Sequence, residues 1–320
     1  MTAKIKDVKL SELTTQAKLE QAQKADTELA REIPRMVAAA ELYDPDYKVK
    51  PLEFDGLYTG IPTLDEGLLG VGQRELVFLG APTNIGKTTI ALYVALNFAI
   101  QGKKVVYMLA EDNTEWATDL LNTIVKSNEG LDGGLQNLFF ITDEESIKFV
   151  GHSKELVPLV NSLSVEAGVD WFFLDMLNNL ADPLEDRNFS DLMSKLRQNC
   201  NRHGHSIWCN CRFREPRQDS EARLKQETYS PDMTQFYGKS TNYMFSVTKA
   251  LALTPCEVSG PPDTRSVCIK ILKNKRAKIG TIGMRHRVLI GDDLKIKQPT
   301  DPVLTGDIRA TEDLAELQAC

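Results

Sequence analysis

The amino-acid sequence predicts an α/β protein with a mostly parallel, twisted sheet that is covered by helices. Short apolar runs with the length of buried strands alternate with segments whose apolar residues recur at helical spacing. Such alternation is typical of a parallel sheet with crossover helices on both faces. The strand-like runs are Leu76–Leu79, Val105–Leu109, Leu138–Ile141, Trp171–Leu174, Ile207–Cys211, Ala250–Leu253, Val267–Leu272 and Val288–Ile290. Long helices are missing between the last three, which predicts an antiparallel edge. Ser190 is the predicted N-cap of the helix before the fifth strand.

The composition is that of an ordinary globular protein. Of its 320 residues 42% are hydrophobic and 26% are charged. No apolar run approaches roughly 18 residues, so we expect no membrane span. The N-terminus shows no apolar secretion segment, and six irregularly spaced cysteines favour reduced thiols. We therefore expect a cytosolic protein.

The first 53 residues form a predicted helical arm or linker, which precedes a predicted core over residues 54–298 and an acidic tail over residues 299–320. The arm carries an interrupted apolar stripe, and Pro34 marks a kink or a new helix start. A single amphipathic helix cannot form a core alone, so the arm needs a partner surface. That surface belongs either to its own domain or to a neighbouring subunit, and the pattern leaves both open.

A phosphate-binding loop is predicted between the first strand and the first long helix. The loop ends in Gly86-Lys87-Thr88, in the strand–loop–helix context that such a motif requires. Its backbone N–H groups would wrap a β-phosphate, with Lys87 against the phosphates and the Thr88 hydroxyl on Mg²⁺. The predicted contacts are Ala81, Asn84, Ile85, Gly86, Lys87, Thr88 and Thr89. Ala81 stands where glycine is usual, and it can serve if its φ stays negative. We predict that the chain binds a nucleoside triphosphate.

Polar residues end three predicted strands, at the sheet edge where α/β proteins bind ligands. Asp175 fits the acid that acts on Mg²⁺ directly or through water. Glu111 could orient and deprotonate an attacking water, with Asp112 as the second choice. Asn210 could sense the terminal phosphate, and a packing role for it is an equal alternative.

Five residues resemble metal ligands at first sight, namely Cys200, His203, His205, Cys209 and Cys211. Their spacing matches no common zinc pattern, and cysteine is a frequent buried strand residue. Strand alternation predicts that Cys209 and Cys211 face the same side of the sheet. The sequence favours buried thiols over a structural zinc site.

Basic residues are unevenly distributed, although the net charge is −7. Residues 264–291 contain no acid, and the turn Lys273–Lys278 is strongly basic. A second basic stretch comprises Arg212, Arg214, Arg217, Arg223 and Lys225. Either stretch could contact nucleic acid phosphates, and either could be an ordinary solvated surface. The turn could instead supply an arginine, Arg276, to a neighbouring nucleotide site.

Taken in order, these motifs resemble those of the DnaB-type hexameric replicative helicases, particularly the bacteriophage and mitochondrial branch. The resemblance covers about Phe54 to Ile296. The family's phosphate loop often begins with alanine, as Ala81 does here. The other matching segments are Gly60–Leu69, Met108–Asn113, Phe173–Leu177, Trp208–Arg212 and Ile271–Arg276. In the family they supply a turn, the glutamate strand, the second nucleotide motif, the sensor strand and the finger turn.

This resemblance implies a RecA-like P-loop core that hydrolyses ATP with Mg²⁺ between the subunits of a homo-oligomeric ring, which in this family is a hexamer. It implies single-stranded DNA in the channel, with Arg212–Lys225 as a channel loop. Glu111 and Lys87 would serve the chain's own site, and Arg276 or Lys275 would serve the neighbouring one. A separate primase, polymerase or loader would complete the machinery, in a bacterial or phage-infected cell or an organelle matrix.

Two alternatives stay open. One is a RecA-type recombinase or annealing ATPase that forms filaments on single-stranded DNA. The other is a loader or regulatory ATPase of the same superfamily, in which the basic loops are incidental.

Overall fold

The computed structural model describes residues 56–110, 114–141, 153–177, 186–213, 233, 236, 242–256, 260–275 and 281–299. The predicted N-terminal arm and nearly all of the predicted acidic tail lie outside these residues.

The described residues form an α/β fold around one mixed sheet of nine strands. The strands are β1 (Leu76–Ala81), β2 (Val105–Leu109), β3 (Leu138–Ile141), β4 (Trp171–Asp175), β5 (Ser206–Arg212), β6 (Lys249–Pro255), β7 (Thr264–Asn274), β8 (Arg285–Gly291) and β9 (Ile296–Lys297). Their spatial order is β3-β2-β4-β5-β1-β6-β7-β8-β9. The first six in this order are parallel, and β7, β8 and β9 are each antiparallel to the strand before them. The predicted sheet and its antiparallel edge are confirmed.

Helices cover both faces of the sheet. Within the described residues the α-helices are α1 (Pro62–Leu68), α2 (Lys87–Ile100), α3 (Thr114–Ser127), α4 (Ser153–Ala167) and α5 (Asp186–His203). Short 3₁₀ helices lie at Leu131–Asn137 and Asn242–Phe245. Within these residues no helix is both long enough and apolar enough to cross a membrane.

Two hydrophobic clusters lie on opposite faces of the sheet. The first packs α2 against inward-facing residues of β1 and β2, such as Val77 and Tyr107. The second packs α5 and α4 against the other face, through residues such as Phe78 and Leu196. Because side chains alternate along a strand, each central strand contributes to both clusters, which explains its continuous apolar sequence.

Helix α5 begins earlier than the sequence suggests. Ser190 is the predicted N-terminal cap, but the helix already begins at Asp186, so that prediction is wrong. Serine at an N-cap is a statistical preference, and an amphipathic stripe that packs on the sheet can extend a helix beyond it. The buried Phe189, one residue before Ser190, adds to the stripe that holds this end of the helix on the core.

Asp65 is a buried carboxyl on α1, with 4% of its surface exposed. Its Oδ1 accepts a hydrogen bond of 2.7 Å from the backbone N–H of Thr59. Burial raises the pKa of Asp65 to about 6, although the hydrogen bonds from Thr59 and Gly60 oppose the rise. The folded protein therefore binds this proton more tightly than the unfolded chain does.

We predict that Asp65→Asn removes a pH-dependent loss of stability. Because the folded pKa lies above the unfolded one, the wild-type free energy of unfolding should fall as pH rises from about 4 to about 6. That loss is at most about 3 kcal/mol. The asparagine side chain keeps an oxygen for the Thr59 N–H and has no proton to lose. The free energy of unfolding of both proteins should be measured with urea at pH 4.5 and pH 7.5. Relative to wild type, Asp65→Asn should be more stable at pH 7.5 than at pH 4.5. A difference in stability that does not change with pH would contradict the raised pKa of Asp65.

Candidate functional site

The loop between β1 and α2 has the backbone shape of an anion-binding nest. Asn84 has φ 59° and Gly86 has φ 100°, with Ile85 between them. Alternation of left-handed and other conformations turns successive N–H groups toward one side of a loop, where they can bind a phosphate. Ala81 ends β1 in strand conformation with a negative φ, so the condition for an alanine at this position is met.

Two glycines around this loop leave no room for a side chain. A Cβ on Gly86 would lie 2.9 Å from Cδ1 of Ile290, and its φ is one that L side chains rarely adopt. A Cβ on Gly80 would lie 2.3 Å from the ring of Phe213 and 2.6 Å from that of Phe236. Those two rings pack edge to face at 5.1 Å. The strand end and the loop are therefore held from both sides by close packing.

The first turn of α2 carries Lys87, Thr88 and Thr89, as the sequence predicts. Lys87 is 8% exposed, Thr89 is buried and Thr88 is half-buried. The helix begins directly at the nest, so its unpaired N–H groups and its positive dipole end add to the field there. A buried cation at this position suits a polyanionic ligand.

Asp175 is the last residue of β4 and is 3% exposed. The Tyr107 hydroxyl donates a hydrogen bond of 2.6 Å to its Oδ2. Burial raises the pKa of the Cys211 thiol, the positive charge of Lys87 opposes that rise, and the negative charge of Asp175 adds to it. β4 and β1 both pair in parallel with β5, with Leu174 opposite Cys209 and Ala81 opposite Arg212, so Asp175 and the loop that leads to Lys87 lie at the carboxyl edge of the sheet.

Asn210 on β5 has an amide orientation fixed by its neighbour. The Trp208 indole N–H can only donate, and it donates to Asn210 Oδ1 at 3.2 Å. The amide Nδ2 is left buried, and no hydrogen-bond partner for it exists among the described residues. A buried donor without a partner costs free energy unless a ligand or water satisfies it. This geometry favours a sensing role for Asn210 over a purely packing one.

An aromatic row (Tyr107, Phe173 and Trp208) crosses three neighbouring strands below these polar groups. Tyr107 pairs with Phe173 and Phe173 pairs with Trp208 in the sheet register. The rings stack, with 5.7 Å between centroids in each pair. The two ends of the row carry its polar atoms: the Tyr107 hydroxyl bonds Asp175, and the Trp208 indole bonds Asn210. One packed layer therefore orients both residues.

The end of β7, which leads into the predicted finger turn, lies at the opposite edge of the sheet. Asn274 at the end of β7 pairs with Lys249 at the start of β6, and the Lys275 N–H donates to the Thr248 carbonyl at 3.1 Å. Lys275 is exposed. β6 runs parallel to β1, so Asn274 and Lys275 lie toward the amino end of β1, whereas the phosphate loop follows its carboxyl end.

Several predicted residues lie outside the described part of the chain. These are Glu111, Asp112, Arg214, Arg217, Arg223, Lys225 and Arg276. Arg212 is described: it is exposed at the end of β5 and pairs in register with Ala81. Arg212, the first residue of the predicted basic stretch, thus lies beside the phosphate loop.

The cysteine and histidine cluster does not form a metal site in the described residues. Cys209 and Cys211 face the same side of the sheet, as predicted, and both are buried in the second hydrophobic cluster with Cys200. His205 lies edge-on to Phe172 at 5.3 Å, and its Nδ1 is 3.0 Å from the Ser164 hydroxyl. Burial lowers the pKa of His205 to about 4, which describes a neutral core histidine.

Two residues of the site were missed from the sequence. Tyr107 looks like one more apolar residue within a buried strand, and only its register beside Phe173 shows that its hydroxyl reaches Asp175. Arg265 looks like one of many basic residues in the segment 264–291, yet its guanidinium bonds the phosphate loop. For Tyr107 the available signal was an aromatic residue with a hydroxyl group, placed two residues before the end of a strand.

Comparison with protein-family models gives no match, and comparison with curated proteins gives none either. A function is therefore inferred from the geometry of the loop and of the side chains around it.

We predict that Tyr107→Phe weakens Mg²⁺-dependent nucleotide binding. The change leaves the stacked ring in place and removes the hydroxyl that donates to Asp175. Oδ2 of the buried carboxylate then loses this hydrogen bond. Loss of a hydrogen bond to a charged group costs on the order of 2 kcal/mol. In a titration of Mg²⁺ at fixed nucleotide, half-saturation should require several-fold more Mg²⁺ than in wild type.

Tyr93→Phe is the matched control, since it also removes one tyrosine hydroxyl, and that hydroxyl donates at 3.2 Å to the Gly60 carbonyl rather than to Asp175. It should leave the Mg²⁺ requirement at the wild-type value. An unchanged requirement in Tyr107→Phe would show that the Tyr107 hydroxyl does not orient Asp175.

Proposed function

We propose that the protein is an ATP-dependent DNA helicase of the DnaB type, with a RecA-like core, that hydrolyses ATP between subunits of a ring. The observation that supports the proposal is that Asp175 and Asn210 lie toward the carboxyl ends of β4 and β5, at the edge of the sheet from which the β1–α2 loop and Lys87 extend. A nest alone would fit any anion. A cation, a carboxylate and an amide donor around it fit a nucleoside triphosphate.

The proposed chemistry is divided among described residues of the site and Glu111, which lies outside the described part of the chain. The nest and Lys87 bind the β- and γ-phosphates, and Asn210 Nδ2 donates to a terminal phosphate oxygen. The residues fit Mg²⁺, because the Thr88 hydroxyl and the Asp175 carboxylate are the oxygen ligands it prefers, directly or through water. Bound there, the ion would neutralise charge that builds up as the γ-phosphoryl group leaves. Glu111, two residues beyond the end of β2, would orient the attacking water and take its proton.

The position of the finger turn favours an assembly of several subunits. β7 spans the sheet from the phosphate-loop edge to the opposite edge, and a strand of its eleven residues is roughly 35 Å long. Lys275 and the adjoining Arg276 are thus too far from the chain's own loop to touch its nucleotide. A basic turn so placed can serve the site of a neighbouring copy.

Single-stranded DNA is the proposed polymer substrate. Arg212 is exposed beside the phosphate loop, at the start of the basic stretch that includes Arg214, Arg217, Arg223 and Lys225. Phosphate contacts by such residues release counterions, so the affinity for DNA should fall steeply with salt. Insensitivity to salt would count against these residues as the DNA contacts.

We predict that the purified protein separates a forked DNA duplex with ATP and not with a non-hydrolysable analogue. Lys87→Ala should reduce both hydrolysis and strand release by roughly 10²-fold or more, because the phosphates lose their principal cation. The assay is strand release from a labelled fork, with phosphate release measured in parallel. Lys103→Ala removes a lysine beyond the far end of α2 and should leave both rates near wild type.

The outcomes separate the alternatives. Hydrolysis stimulated by DNA without strand release would favour the recombinase or the loader, and electron microscopy of the ATP-bound particle would distinguish rings from filaments. Hydrolysis that survives Lys87→Ala would overturn the site itself.

We also predict that two inactive variants restore activity when mixed. Lys87→Ala lacks the lysine that binds phosphate in its own site. Arg276→Ala lacks the arginine that would act in the neighbouring site, and its loss should lower the rate of hydrolysis roughly 10³-fold. In an equimolar mixed assembly, about a quarter of the interfaces join an intact loop to an intact finger. Phosphate release by the mixture should therefore far exceed that of either variant alone.

The control mixture pairs Lys87→Ala with the double variant Lys87→Ala/Arg276→Ala, which leaves no complete interface. Lys275→Ala in the same protocol decides which residue is the finger. Near-wild-type hydrolysis by both Arg276→Ala and Lys275→Ala alone would rule out a finger in this turn.

A further inference from the structure

The first residues of β7 lie on the chain's own phosphate loop. Arg265 Nη1 donates a hydrogen bond of 2.9 Å to the Asn84 carbonyl. The same nitrogen is 4.0 Å from the position of a Cβ on Gly86. Ile290, which pairs with Arg265 in the sheet register, packs against Gly86 from β8. The antiparallel hairpin thus covers the outer side of the nest.

The peptide bond between Asn84 and Ile85 transmits this contact to the inner side. In a trans peptide the C=O and the N–H point in opposite directions. The Asn84 carbonyl points to Arg265, so the Ile85 N–H points away from Arg265 and is one of the donors that the proposed nest would offer to a phosphate. A cation on the carbonyl draws electron density from the amide and strengthens the N–H as a donor, as in other chains of polarised hydrogen bonds.

We propose that Arg265 is a positioning residue of the nucleotide site, which acts through the Asn84–Ile85 peptide to tighten the grip of the nest on a β-phosphate. The inference rests on the proposed nucleotide binding and adds a role for a residue outside the loop. Arg265 is exposed, and its guanidinium bonds a loop whose residue Asn84 holds a left-handed φ. A charged hydrogen bond at that peptide stabilises the conformation in which Ile85 and its neighbours present their N–H groups together.

The contact should affect how tightly the nucleotide binds and not how fast the bound nucleotide reacts. The contact holds the loop in its binding conformation before the nucleotide arrives, so without it the free loop can leave that conformation and binding has to restore it. Because the nest is proposed to hold the β-phosphate, that cost falls equally on the bound ground state and on the transition state. Its loss should raise KM for ATP and leave kcat nearly unchanged. A residue needed only for folding would instead lower the thermal stability of the ligand-free protein, and one that reacts with the γ-phosphate would lower kcat.

The test compares wild type with Arg265→Met, which keeps an unbranched side chain and removes the charged guanidinium. Isothermal titration with MgADP should show about tenfold weaker binding, the loss typical of a hydrogen bond to a charged group. KM for ATP should rise by a similar factor, with kcat changed less than about twofold. Arg265→Lys restores a cation that can reach the carbonyl, and it should recover part of the affinity. Lys297→Ala, which removes an exposed lysine on β9, is the charge-matched control and should bind as wild type does.

The outcomes distinguish this inference from the proposed function. If wild type binds no MgADP and hydrolyses no ATP, the proposed function fails, and the inference fails with it. If wild type binds MgADP and Arg265→Met binds it within about twofold of that affinity, the inference alone is overturned. A fall in kcat at unchanged KM would also overturn it, because it would place Arg265 among groups that act on the transition state.

Discussion

The register of the parallel strands is the constraint on which the site depends. A shift of one residue between β2, β4 and β5 would turn every side chain to the other face of the sheet. The aromatic row fixes that register, since Tyr107, Phe173 and Trp208 stack only when they lie opposite one another. The same alignment places the hydroxyl and the indole N–H where they reach Asp175 and Asn210. Packing and site geometry are therefore set by one layer of side chains.

β1 is anchored at the end that faces away from the phosphate loop. Lys249 Nζ lies 2.8 Å from a carboxylate oxygen of Glu75, and both side chains are buried. The Thr248 hydroxyl accepts from the Leu76 N–H at 3.0 Å and donates to its carbonyl at 2.9 Å. Removing one partner of such a buried pair costs about 3–5 kcal/mol. A strand held this firmly at its start gives the loop at its other end a fixed base.

Sequence patterns sufficed for features that depend on neighbouring residues. The strands, the helix after the loop, and the positions of Lys87 and Thr88 follow from apolar spacing and one local motif. The contacts of Tyr107 with Asp175 and of Arg265 with Asn84 join residues 68 and 181 positions apart. Such contacts depend on strand order and register, which apolar spacing does not specify. The early start of α5 has the same origin, because packing on the sheet outweighed the capping preference of Ser190.

β7 is long enough to reach from the phosphate loop at one edge of the sheet to the basic turn at the other. Its first residues bond the chain's own phosphate loop, and its last residues lead into a basic turn at the opposite edge. Within the sheet β8 pairs with Thr264–Lys270 of β7 and β6 pairs with Val267–Asn274, with one shift of register on the β6 side. Arg265 and Lys275 therefore lie on one hydrogen-bonded strand, with Arg265 on the chain's own loop and Lys275 at the start of the turn that, under the proposed function, would serve a neighbouring site.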